Sequence, residues 1–227
     1  MLIFFSIVFI ISWMIYVFLK LKKPSITALF FKTITTFTLI GMSVYIHSVG
    51  INFPGFGYVV IIGLILGLLG DVFLDLKLIF PKENDLFTYA GFYSFLLGHI
   101  LYIFYFISNF ELSMFDVSII FGFAGLVVFL VLMTEKPMQL NYGKFRIISA
   151  IYAFVLSLIT ILSFWVGFRE EIIGFIIFGI GMISFLISDL ILSQSYFGRK
   201  EKQWMIYTNY IFYYLAQFLI VISLLYV

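Results

Sequence analysis

The chain has 227 residues, of which 64% belong to the set AVILMFWYC and only 11% are charged, with a net charge of +2 and a mean hydropathy of +1.20. A soluble globular chain carries roughly a quarter charged residues, so a water-soluble domain of this size is excluded. The absence of cysteine excludes disulfides, thiolate chemistry and Cys-ligated metals, and the dispersed charge offers no nucleic-acid footprint.

The apolar residues fall in runs of about twenty, the length at which a helix rising 1.5 Å per residue crosses a hydrocarbon core. The alternating strands of an outer-membrane barrel are missing. A window of about 19 residues predicts an all-α polytopic membrane protein, a single membrane domain over 1–227. Its eight spans fall at about 2–20, 26–49, 57–80, 86–110, 115–134, 145–168, 172–193 and 203–226. The first begins Met1-Leu2-Ile3-Phe4-Phe5, with no preceding basic residue and no small-residue cleavage site. It reads as a retained span, not a signal peptide. Lys20, Lys22, Lys23 and Pro24 separate it from the second, and Pro24 suits the first turn of a new helix.

Basic residues are retained on the cytoplasmic side of short loops. The odd loops carry Lys20, Lys22, Lys23, Lys77, Lys82, Lys136, Lys144, Arg146, Arg199, Lys200 and Lys202, against Arg169 alone in the even loops. This bias places the odd loops in the cytoplasm, both termini on the opposite face, and the chain in a bacterial inner membrane. Lys32, about two turns into the second helix, is expected to snorkel toward the odd-loop side.

A shift of 118 residues lays Asp71-Val72-Phe73-Leu74 over Asp189-Leu190-Ile191-Leu192, Tyr89 over Tyr207, and the block around His99 over the block around Gln217, without a gap. Two readings stand. Chance similarity between apolar helices is one; the other is a parallel tandem repeat with halves of about 1–110 and 111–227, related by an axis along the membrane normal.

Ionisable side chains inside spans cost roughly 2.5–3.5 kcal/mol on insertion scales and face a bundle interior or a watery cavity. Asp71, Asp75, His99 and Asp189 make up the list, with Lys32 nearer a surface. Asp71 and Asp189 lie at matching depths, flanked by Gly63, Gly67 and Gly70 and by Gly179, Gly181, Ser184 and Ser188, small residues that let backbones approach. Under the repeat reading they turn toward one another. Two such carboxyls can share acid and base roles, or each can simply bond helices together through Ser, Tyr or backbone groups. Asp75 is expected to be solvated at the interface. His99 is either a proton shuttle or a hydrogen-bonding core residue, and its counterpart Gln217, which cannot titrate, favours the latter. Tyr213 and Tyr214 stand near mid-helix, one turn before Gln217, with pocket and packing roles both open. No metal-ligand spacing, GxSxG elbow or Gly-rich phosphate loop occurs.

The segments Lys23-Pro24, Gly70-Asp71-Val72-Phe73-Leu74, Phe95-Leu96-Leu97-Gly98-His99-Ile100-Leu101-Tyr102, Ser188-Asp189-Leu190-Ile191-Leu192 and Tyr213-Tyr214-Leu215-Ala216-Gln217-Phe218-Leu219-Ile220 resemble, in order and spacing, the signature blocks of the YhhN family of eight-span membrane proteins, which includes lysoplasmalogenase. The segment after Pro24, Ser25-Ile26-Thr27, departs from the family pattern of a leucine and threonines. The resemblance implies hydrolysis of the vinyl ether of a lysoplasmalogen to a fatty aldehyde and a glycerophospho-ethanolamine or -choline. It carries the family's two catalytic aspartates onto Asp71 and Asp189. The partners expected are then a lysophospholipid substrate and the bilayer.

That chemistry needs one neutral carboxylic acid and one carboxylate and no metal or cofactor. Asp189 is assigned as acid and Asp71 as carboxylate. His99, Tyr213, Tyr214 and Gln217 are candidates to orient water or the ether oxygen, and Lys23 and Lys32 to meet the lipid phosphate. The competing reading is a transporter in which the same acids bind a proton or cation. Its helix breaks are not evident, since Pro24, Pro54, Pro81 and Pro137 all lie at connections.

Overall fold

A computed structural model describes residues 1–22, 25–50, 52–198 and 203–227. Among them there is no strand, and the chain folds into eight α-helices: α1 (Leu2–Lys22), α2 (Ile26–Val49), α3 (Pro54–Ile79), α4 (Asn84–Asn109), α5 (Met114–Met133), α6 (Arg146–Arg169), α7 (Ile173–Phe197) and α8 (Gln203–Ser223). All eight are long and apolar enough to cross a membrane, so the chain is an integral membrane protein.

The helix starts follow local chemistry. Ser25 caps α2 by accepting a hydrogen bond from the Ala28 N–H at 3.2 Å, satisfying one of the donors a helix start leaves open; Pro24 lies outside the described residues. Pro54 occupies the first turn of α3, so that helix begins three residues earlier than hydropathy predicts, because proline at this position gives up no needed N–H. A capping box of Ser113 and Asp116 opens α5. The seventh helix continues four residues past its predicted end, to Phe197.

The chain divides into two compact units, Met1–Gly98 and His99–Val227. In the first, α2 packs against both α1 and α3. Close approach of α3 to the first half of α4 depends on glycine: a Cβ at Gly70 would stand 2.6 Å from the Phe95 ring, and one at Gly91 2.6 Å from Leu74. In the second unit α5, α6, α7 and α8 pack in sequence. Helix α7 sits between its neighbours on two glycine faces. A Cβ at Gly179 would lie 2.9 Å from the Phe164 ring of α6, and one at Gly174 2.7 Å from the Ser223 carbonyl oxygen of α8. Helices α1 and α5 carry long rows of exposed Ile, Phe, Leu and Met, the surface expected against acyl chains.

These contacts predict a contrast. Gly174→Val meets backbone that cannot yield and is expected to destabilise the fold by about 1–3 kcal/mol, lowering the melting temperature in detergent by several degrees. Gly122→Ala, where an added Cβ meets nothing within 4 Å, is expected to leave melting unchanged or to raise it, since alanine is the better helix former. Equal melting of the two variants would contradict the packing described.

Candidate functional site

In the first unit four charged side chains from three helices meet. Asp71 and Asp75, one turn apart on α3, present carboxylates to the same side. Lys32 of α2 places Nζ 3.0 Å from Asp71 Oδ1 and 3.6 Å from Asp75 Oδ1, while Lys20 of α1 donates to Asp75 Oδ1 at 2.7 Å. All four side chains are 5–7% exposed. The phenol ring of Tyr16, fully buried, stands 5.7 Å from Lys32 Nζ, within cation–π range. One turn earlier on α1, Ser12 accepts a hydrogen bond from Thr35 of α2 at 3.1 Å. Ser12, Tyr16 and Lys20 thus form a polar stripe at i, i+4 and i+8 on a largely apolar helix.

Two expectations are corrected here. Lys32 does not snorkel outward, and Asp75 is not a solvated interfacial acid, since each is only 5% exposed. The reason is electrostatic. Each ammonium has a carboxylate within reach inside the protein, and the desolvation cost of a buried charge is offset when its counter-charge is in hydrogen-bond contact.

In the second unit the half-buried Asp189 of α7 accepts a hydrogen bond on Oδ2 from the Tyr152 hydroxyl of α6 at 2.6 Å. Around Tyr152 the rings of α4, α7 and α8 form a continuous wall. His99 lies 5.8 Å from Tyr152, 5.1 Å from Phe185 and 6.1 Å from Tyr102. Phe185 lies 5.4 Å from Tyr213, which lies 5.1 Å from Tyr214. His99, Tyr213, Tyr214 and Gln217 are all buried. Asn209 of α8 donates to the Ser188 carbonyl at 2.8 Å and to its hydroxyl at 3.2 Å, fixing the backbone just before Asp189.

Of the residues singled out from sequence, Asp71 and Lys32 are brought together in the first unit. Asp189, His99, Tyr213, Tyr214 and Gln217 belong to the second, where His99 and Tyr213 join the Asp189–Tyr152 pair through the ring wall. Lys23 lies outside the described residues. Lys20, Asp75 and Tyr152 are the additions. The four-residue spacing of Ser12, Tyr16 and Lys20 was the signal for the first. Tyr152 had none beyond a mid-span position that its type, usual at interfaces, disguised.

These features define a polytopic all-α membrane protein with ionisable groups held inside its helix packing. A family model described as the YhhN family matches residues 27–224. The chain belongs to the YhhN family. No curated protein and no solved structure matches it.

The ion cluster makes a stability prediction. Lys32→Met leaves Asp71 buried beside no ammonium from α2 and is expected to cost about 3–5 kcal/mol. The double change Lys32→Met with Asp71→Leu removes both charges, retains the Lys20–Asp75 pair, and is expected to recover most of that loss. Thermal melting of the three variants in detergent checks it, and a double variant less stable than the single would refute the pairing.

Proposed function

We propose that the chain is a membrane-embedded hydrolase that cleaves the vinyl ether bond of lysoplasmalogen-type lysophospholipids, releasing a fatty aldehyde and a glycerophospho-alcohol. Membership of the YhhN family supports the reaction class. The observation that carries the reading to residues is that the two intramembrane acids keep different company. Asp71 is bonded to an ammonium and Asp189 to a phenol, a difference suited to unlike roles.

In this mechanism Asp189 is the general acid. Tyr152 holds Oδ2, and the transferred proton resides on Oδ1. That proton goes to the β-carbon of the vinyl ether, and the π electrons that capture it leave an oxocarbenium ion. Asp71, the ion-paired carboxylate, stabilises this positive charge and takes a proton from the attacking water. The resulting hemiacetal collapses to aldehyde and alcohol as its hydroxyl proton passes to the departing glycerol oxygen. Asp71 then gives up its proton to solvent and Asp189 regains one, closing the cycle with one water consumed. Lys32 holds Asp71 in place through the ion pair; His99, Tyr214, Gln217 and Tyr213 orient the water and the ether oxygen. Lys23, at the same end of the chain's second span as Lys32, is assigned to the phosphate. No metal or cofactor enters any step. The membrane proposed is a bacterial inner membrane with the odd loops and the lipid phosphate on the cytoplasmic side.

The helices run unbroken through their described lengths, which suits a fixed catalytic framework better than the interrupted helices of many transporters. Asp71→Asn and Asp189→Asn are each expected to abolish aldehyde release from a vinyl ether lysolipid while eluting in detergent as the unaltered protein does. Full activity in either variant removes the paired-acid mechanism. Tyr152→Phe is expected to lower kcat by about 10-fold to 100-fold with little change in KM. Exhaustive chelation is expected to leave the rate intact, and loss of activity restored by an added metal would point to different chemistry.

A further inference from the structure

The proposed reaction uses neither Lys20 nor Asp75, yet both are buried in the charge cluster. Asp75 is satisfied on one side only. Its Oδ1 takes the hydrogen bond from Lys20 at 2.7 Å and faces Lys32 at 3.6 Å, while its Oδ2 is buried with no hydrogen-bond partner among the described residues. A carboxylate oxygen removed from water without a donor is costly, and native proteins leave few of them. Asp75 also lies one helical turn, about 6 Å, beyond Asp71 toward the end of α3. A lysolipid whose ether lies at Asp71 extends its headgroup in this direction, toward the end of the span.

The geometry points to Lys20 and Asp75 as a headgroup site for a phosphoethanolamine lysolipid, in which Asp75 Oδ2 accepts an N–H from the primary ammonium and Lys20 Nζ meets a phosphate oxygen. The inference rests on the proposed function for the identity of the lipid and deepens it to a choice of headgroup. A trimethylammonium has no N–H to offer Oδ2, so the site selects ethanolamine over choline. It also selects against anionic headgroups. Among the described residues two ammonium groups and two carboxylates meet here, and a zwitterion enters without disturbing that balance.

The test measures binding of saturated alkyl-ether lysophosphoethanolamine and lysophosphocholine, which have no vinyl ether to cleave, to the full chain in detergent. The ethanolamine lipid is expected to bind about tenfold or more tightly, the scale of one hydrogen bond made to a buried charged group by one ligand and not by its analogue. Asp75→Asn, which puts a donor where Oδ2 stood, is expected to erase the difference. Equal affinity of the unaltered protein for the two lipids overturns the inference and would hand Oδ2 to a donor both share, such as the glycerol hydroxyl. A preference undiminished in Asp75→Asn overturns it too, as does water-soluble phosphoethanolamine binding as tightly as the lipid. If Asp75→Asn does not fold, the lipid ratio of the unaltered protein decides alone. Because these ligands are not hydrolysed, a protein that discriminates between them but releases no aldehyde from a vinyl ether lipid retains the headgroup site and loses the hydrolase reading. Aldehyde release with equal affinities does the reverse.

Discussion

Four buried charges in balance are the constraint on which the first half of the molecule depends. An isolated ammonium or carboxylate among apolar helices would cost several kcal/mol even after relaxation, so each of Lys20, Lys32, Asp71 and Asp75 depends on a counter-charge among the others. Their positions in sequence match this demand. Lys20 lies at the end of α1, Lys32 about 9 Å into α2, and Asp75 and Asp71 about 6 and 12 Å before the end of α3. In an up-down-up arrangement these four reach one level near one end of the three helices. The ion pairs therefore do more than join side chains: they set the depth at which α1 and α2 stand beside α3, a register that exchangeable Leu, Ile and Phe contacts would fix poorly.

The two acids that sequence reading pairs differ most in what surrounds them. In the register that lays Asp71 over Asp189, the positions matching Lys20, Lys32 and Asp75 are Met138, Ala150 and Ser193, and Tyr152 matches Ile34. Each of these named residues thus has an unlike counterpart, in that register, beside the other acid. Asp71 has a charged partner on a neighbouring helix; Asp189 has a hydroxyl donor backed by a wall of rings. A reaction that first delivers a proton and then stabilises a cation calls for such unlike groups, because a carboxyl that must give up a proton and one that must stay charged need different surroundings.

How much of this was legible in the sequence follows from what each signal measures. Hydropathy sums over some twenty residues, so all eight spans were readable, while their ends moved by up to four residues, as at Pro54, at the end of α7 and at the end of α8, because single residues and caps set a helix end. Asp71 and Asp189 stood out because an acid in mid-span is conspicuous. Lys20 did not, because a lysine ending an apolar run is what any membrane interface provides. Lys32 and Asp75 were seen but given water as their partner; periodicity reports which face a residue shares on its own helix, not which charge on another helix comes within 3 Å. Tyr152 was hidden by the opposite effect, being one of fifteen tyrosines in a chain where that residue is ordinary at both surfaces.

The cluster's neutrality bears on why such a device sits in a membrane at all. Two plus and two minus charges present no net charge to the hydrocarbon, so the assembly avoids the largest part of the cost that a lone ion incurs there. A ligand that slid in with a net negative charge would upset that balance; under the proposal one carrying both signs would add its ammonium at Asp75 Oδ2 and its phosphate at Lys20. Each added charge then meets one of the opposite sign, so the ligand can be accommodated without any of the four side chains being stranded in an apolar surround. The arrangement that fixes α1 and α2 against α3 is then also the one that a zwitterionic headgroup can enter at least cost.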